Sequence, residues 1–174
     1  MQLSAAKIDP AEDVLKVGGQ KLATQLLCAD NDQSIEVLDL RGAIASDLHG
    51  AFEEWYEQSK RTKCLEYLYS VSIIGQPAQG RISRAQHFDL IERIEKKLGL
   101  CKRPRAVVLH AHCDGREHWH VVWSRINVGK GEAVNFSFDR KKLRKVAQDF
   151  ARDHGIIVPL NMRSRFHDHI EAKA

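Results

Sequence analysis

Between Gly18 and Cys28 the apolar residues Leu22, Leu26 and Leu27 recur at helical spacing, which predicts a helix opening at Gly18-Gly19. The stretch Ala29-Asp30-Asn31-Asp32 reads as a loop leading into Ser34-Ile35-Glu36-Val37-Leu38, where Ile35 and Val37 alternate with polar neighbours as in a half-buried strand. Ser46 suits the N-cap of a helix running to Lys60, with Leu48, Phe52 and Trp55 on one side. The strongest strand signal is Leu65 to Ile74, dense in aromatic and β-branched residues and closed by a loop at Gly75-Gln76-Pro77 and Gly80. Ser83-Arg84-Ala85-Gln86 has the form of a capping box, and Gly99 stands where a helix ends in a left-handed residue. Between them Phe88, Ile91, Ile94, Glu95 and Leu98 trace one helix face.

Arg105 to His112 and His118 to Ile126 read as two further strands joined by a short connection containing Asp114-Gly115. A last helix, capped by Ser137 or Asp139, is expected to end at Gly155 and to carry the basic run Arg140 to Lys145, with Leu143 and Val146 turned inward. Residues 156–174 read as a short strand and a polar tail. Strands and helices are mixed and one hairpin is clear, so the expected class is α+β, a mainly antiparallel sheet flanked by helices. The division expected is an N-terminal segment of no more than partial order (1–17), a domain over 18–158, and a polar C-terminal tail over 159–174.

The 174 residues fit one domain, which at this size buries ~70% of the surface its unfolded chain exposes and needs no cross-links. No run approaches ~18 consecutive apolar residues, and Met1 to Lys7 lacks the basic and long apolar segments of a secretory signal. Four widely spaced cysteines, with no Cys-x-x-Cys pair, make a poor disulfide framework and a poor structural zinc site. The expected compartment is the cytoplasm. A net charge of +4 is compatible with nucleic acid without demonstrating it.

Candidate chemistry concentrates in His110-Ala111-His112-Cys113-Asp114-Gly115-Arg116-Glu117-His118-Trp119-His120. Strand alternation puts His118 and His120 on one face, and His110 and His112 on one face of the preceding strand. A three-residue connection Cys113-Asp114-Gly115, with Gly115 left-handed, sets His110 opposite His118 and His112 beside Arg116. A five-residue connection would set His112 opposite His118 instead. Either register puts three imidazoles on two rigid strands, a suitable site for a first-row divalent metal: His118, His120 and His110, with His112 as the alternate third ligand. Val122 stands where a histidine-triad hydrolase needs another histidine, and a zinc deaminase's Pro-Cys-x-x-Cys is missing. His112-x-Asp114 matches two-thirds of an iron facial triad, but an Asp-Gly turn accounts for Asp114 more simply.

The run Pro104 to His110, followed by His118-Trp119-His120-Val121-Val122-Trp123-Ser124-Arg125-Ile126-Asn127, resembles the third motif of the MobA/VirD2-like relaxases, mobilisation nucleases of the HUH endonuclease superfamily. Gly18 to Ala23 with Leu26-Leu27, Leu40-Arg41-Gly42 and Leu68 to Ser72 follow in the family's order. The resemblance implies that three histidines hold a divalent cation, Mg²⁺ or Mn²⁺ with Zn²⁺ as the alternative, against a scissile phosphate of single-stranded DNA at a plasmid or mobile-element transfer origin. Other mobilisation or secretion-system proteins are implied as partners. The family's nucleophilic tyrosine commonly lies in the first helix, but Ala23-Thr24-Gln25-Leu26-Leu27-Cys28 contains none. The nucleophile is therefore unassigned. Tyr67 and Tyr69, expected on one strand face, are the candidates, and packing is the simpler role for both. Backbone contacts to DNA are expected from Arg125, Lys141, Lys142, Arg144 and Lys145, whereas Trp119 and Trp123 point away from the histidines by strand parity. The leading expectation is metal-dependent nicking and strand transfer. Its alternatives are a catalytically impaired single-stranded DNA-binding module and a metal-dependent phosphodiesterase using water.

Overall fold

The central strands are apolar at successive positions, as in Ala106-Val107-Val108-Leu109, so both sheet faces need cover, and helices pack on each side. The computed structural model describes residues 2–6, 12–29, 33–74 and 82–156, with side chains from residue 18 onward. The expected loops at residues 30–32 and 75–80 and the expected strand and tail beyond residue 156 lie outside the described residues. In chain order the elements are β1 (Gln2–Ala6), α1 (Glu12–Leu27), β2 (Gln33–Arg41), α2 (Leu48–Ser59), β3 (Leu68–Ile74), α3 (Arg84–Leu98), β4 (Arg105–His112), β5 (Glu117–Ser124), β6 (Ile126–Asn127), β7 (Glu132–Ala133) and α4 (Asp139–Asp153). One five-stranded sheet has the order β1-β3-β5-β4-β2, and every pairing in it is antiparallel. The fold is α+β, as the element pattern predicts.

Strand alternation sorts the core into two layers. Val71, Ile73, Val107, Leu109, Trp119, Val121 and Trp123 pack with Leu90, Ile91 and Ile94 of α3 and with Leu143, Val146 and Phe150 of α4. Leu68, Ala106, Val108 and Val122 pack on the other face with Ala23 and Leu26 of α1 and Leu48, Phe52 and Trp55 of α2. Each fully buried aliphatic or aromatic side chain contributes about 1.5–3 kcal/mol, so both layers are needed to offset the entropy of ordering the chain. Across the α3 side runs a charged tie: Glu95 Oε1 accepts from Arg41 (2.8 Å), Arg105 (2.9 Å) and the Trp123 indole (2.8 Å), and Arg105 also pairs with Asp39.

Several boundaries differ from expectation for identifiable reasons. Residues 2–6, expected outside the domain, form the edge strand β1, and α1 begins at Glu12 rather than Gly18. The cap of α2 is Asp47, whose carboxylate accepts the Gly50 N–H at 2.9 Å, rather than Ser46. Neither Ser137 nor Asp139 caps α4. Phe138 occupies the N-cap with φ 58° and no side-chain cap, and the Asp139 carboxylate accepts from Tyr69 Oη at 3.1 Å. Ile35 is half-buried but Val37, on the same face of this edge strand, is exposed, and a register shift between Val37 and Asp39 then sends Leu38 and Leu40 into opposite cores. The capping box at Ser83 and Gln86, the left-handed Gly99 (φ 75°) and the inward side of α2 are all as predicted.

Candidate functional site

The short connection between β4 and β5 decides the site. Gly115 is left-handed (φ 84°), its N–H reaches the His112 carbonyl at 2.9 Å, and the His112 N–H reaches the Arg116 carbonyl at 2.9 Å. That is the three-residue turn, with His110 paired to His118 and His112 beside Arg116. Asp114 serves the turn, as an Asp-Gly step implies: its carboxylate accepts the Arg116 backbone N–H at 3.0 Å and guanidinium at 2.6 Å.

His110, His112, His118 and His120 all project to the α1–α2 side of the sheet, the side of Ala106, Val108 and Val122. Gln33 and Ile35 flank them from β2, and Ser72 and Ile74 from β3. Their rings form two diagonal pairs, His110 with His120 and His112 with His118, each with centroids 4.7 Å apart. Among the described residues, no three His, Cys, Asp or Glu side chains converge on one centre in this arrangement.

The ring nitrogens are nonetheless held in place. His110 is buried and its Nε2–H donates to the Leu26 carbonyl at 2.7 Å, in the last turn of α1. A hydrogen bond of 3.0 Å joins Nδ1 of His120 to the Ser72 hydroxyl, which leaves Nε2 of that ring available. Gln33 Nε2 lies 3.2 Å from His112 Nε2. Burial, aided by the nearby His110 and His118, pushes His120 down to about 4, and burial followed by His112 and Arg116 lowers His118. Both rings are therefore neutral at pH 7, the form that ligates a metal. Oriented imidazoles with their second nitrogen on a carbonyl or hydroxyl fit the donor chemistry of a divalent-cation site. The Leu26 carbonyl and Ser72 were not identified from sequence. Strand alternation could have flagged Ser72 only once the partner of β5 was known.

The two candidate tyrosines are not at this site, and they do not share a face. Tyr67 precedes β3 and packs on the α1–α2 side, whereas Tyr69 lies in the α3–α4 core. Tyr69 is therefore across the sheet from the histidines, hydrogen-bonded to Asp139. The Tyr67 hydroxyl abuts α1 at Gly19, about 10 Å along that helix from Leu26. Burial raises the pKa of both phenols above the ordinary tyrosine range. Tyr56 is on α2 with its ring 5.7 Å from that of Tyr67.

Arg125, expected to contact DNA, is turned into the protein. Its guanidinium donates to the Glu66 carbonyl (2.9 Å) and carboxylate (3.2 Å) and to the Val134 carbonyl (2.9 Å), and it lies over the Phe136 ring. Leu143 and Val146 are buried as expected, but they place α4, with Lys141, Lys142, Arg144 and Lys145, on the sheet face opposite the histidines. Lys141 is exposed, and Lys145 pairs with Asp149 at 2.9 Å. Trp119 and Trp123 are fully buried on that same far side, as parity predicts.

Comparison with known families gives a match over residues 27–156 to the family model described as "Relaxase: MobA/VirD2-like, nuclease domain". No curated protein matches the chain. Among the described residues, no helix is long and apolar enough to cross a membrane.

Proposed function

The chain belongs to the MobA/VirD2-like relaxase family of nuclease domains, and from that premise we propose that it nicks single-stranded DNA and transfers the strand at a plasmid or mobile-element origin. The family is one of DNA-processing domains that bind single-stranded DNA. The observation that supports the finer reading is the set of His110, His118 and His120 on one face of a rigid hairpin, with the second nitrogens of His110 and His120 held by the Leu26 carbonyl and Ser72.

These three histidines would hold a divalent cation, Mg²⁺ or Mn²⁺ in preference to Zn²⁺, with His112 as the alternate third ligand. When bound, the cation supplies charge stabilisation at the phosphate oxygens. The protein supplies the rest. The carbonyl end of α1, which carries the negative end of the helix dipole, faces His110 and favours positive charge there. Ser72 fixes the orientation of the His120 ring, and the hairpin fixes the ligand separation.

A second reading has its own observation: all three tyrosines lie away from the histidines. It is a protein of relaxase descent that binds strands without forming a phosphotyrosine, either a water-using phosphodiesterase or a binding module. End-labelled single-stranded oligonucleotide, incubated with protein and Mn²⁺ and run on a denaturing gel, separates these readings. A protein–DNA adduct supports strand transfer, free cut ends support the phosphodiesterase, and retardation on a native gel without cleavage supports the binding module. The absence of both binding and cleavage overturns all three.

A further inference from the structure

At the far end of the same layer from the histidines, the connection from α2 to β3 and the β6–β7 hairpin enclose an open groove of about 740 Å³. One wall is Lys60, Arg61, Thr62, Lys63 and Cys64, and the other is Gly131, Glu132 and Ala133. Three cations face one carboxylate there. Lys60 is engaged by Glu57 at 2.6 Å, but among the described residues Arg61 and Lys63 form no ion pair and both are exposed. Gly131 is left-handed (φ +66°), a backbone conformation that favours glycine at this turn of the groove wall. Thr62 and Cys64 are already hydrogen-bonded to the Ser59 and Glu66 carbonyls, which leaves the basic side chains as the groove's free recognition groups.

A concave, basic, open trough suits an extended polyanion better than a compact apolar ligand. Its place in the fold adds direction. β5 and β6 lead from His120 to Ile126, six residues or about 20 Å, into the β6–β7 wall. That span corresponds to roughly six stacked nucleotides of one strand. The basic face of α4, by contrast, is on the other side of the sheet.

We propose that this groove binds the phosphate backbone of the DNA strand whose scissile phosphate is held at the histidine face, with Arg61 and Lys63 as the contacts. The proposal rests on the single-stranded DNA reading above, and the test keeps the two apart. Fluorescence anisotropy with an unstructured 20-nucleotide DNA is measured across a NaCl series for wild type, Arg61→Gln/Lys63→Gln, and a charge-matched control, Lys96→Gln/Lys97→Gln, in the last turn of α3. The groove variant is expected to lose about 1.4 from the slope of log affinity against log salt, at ~0.7 per contact. The control is expected to keep the wild-type slope. Wild-type binding with an unchanged slope in the groove variant, or an equal loss in the control, overturns the groove. Failure of the wild-type protein to bind the oligonucleotide overturns the single-stranded DNA reading itself, and the groove assignment with it.

Discussion

Gly19→Ala tests whether the Tyr67 hydroxyl is a packing atom. In a helix interior this substitution ordinarily stabilises by about 1 kcal/mol. Here a Cβ at position 19 would lie 1.9 Å from Tyr67 Oη, 3.2 Å from Cζ and 3.7 Å from Leu68 Cδ1. The phenol cannot easily swing aside, since Tyr67 is 3% exposed and its ring packs against Tyr56. Overpacking of this kind costs up to about 3 kcal/mol, so the net effect is a loss of up to about 2 kcal/mol. Tyr67→Phe removes the atom at 1.9 Å and leaves Cζ at 3.2 Å, a contact that a few tenths of an ångström relieve. In that background Gly19→Ala should be neutral or stabilising, a coupling of about 2 kcal/mol between the sites. Urea unfolding of the four proteins, with unchanged m-values, measures it. Equal losses in both backgrounds, or a stabilised single Gly19→Ala variant, would refute the packing argument.

Metal binding is checked by calorimetry: His118→Ala and His120→Ala should each abolish tight Mn²⁺ binding, and His110→Ala should weaken it more than His112→Ala does. Stability in EDTA should fall as pH drops from 6.5 toward 4. The folded-state pKa of His120 is depressed, so the unfolded chain takes up the proton first, at a cost of at most about 3 kcal/mol; His120→Gln should flatten that limb of the urea-stability profile. Lys141→Gln/Lys142→Gln/Lys145→Gln on the far layer should shallow the salt slope by ~0.7 per lost contact for an oligonucleotide long enough to round the β1 edge. An 8-nucleotide strand should be unaffected, and an effect on both lengths would place the DNA path over α4.

What was legible in the sequence was local. Capping chemistry at Ser83 and Gly99 and the turn at Asp114-Gly115 are set by neighbouring residues, and the histidine register follows from that turn. The rest depends on partners distant in the chain. Gln2 to Ala6 carries one large apolar residue and becomes a strand only by pairing with β3. Arg125 reads as a free cation until Glu66 and Val134 are brought to it. Tyr67 and Tyr69 share strand parity, but the strand begins at Leu68, so alternation does not extend to Tyr67. Leu143 and Val146 identify the buried side of α4 without saying which face of the sheet receives it.

Placing the tyrosines narrows the chemistry. In-line attack needs the nucleophilic oxygen about 3–3.5 Å from phosphorus. Tyr69 is separated from the histidines by the sheet itself. The Tyr67 hydroxyl is about two helical turns from Leu26, and Tyr56 packs beside Tyr67. Raised pKa values disfavour the phenolate at Tyr67 and Tyr69 in any case. Phosphotyrosine formation at the histidines would require β3 or α2, which position the three tyrosines, to leave their places in the fold. A hydroxyl that adjoins the site, that of Ser72, is already joined to His120. Strand transfer therefore predicts an adduct at a residue other than tyrosine, and a water mechanism predicts none. Peptide mapping of any protein–DNA adduct by mass spectrometry decides between them, and a phosphotyrosine at position 56, 67 or 69 would refute this placement of the chemistry at the histidine face.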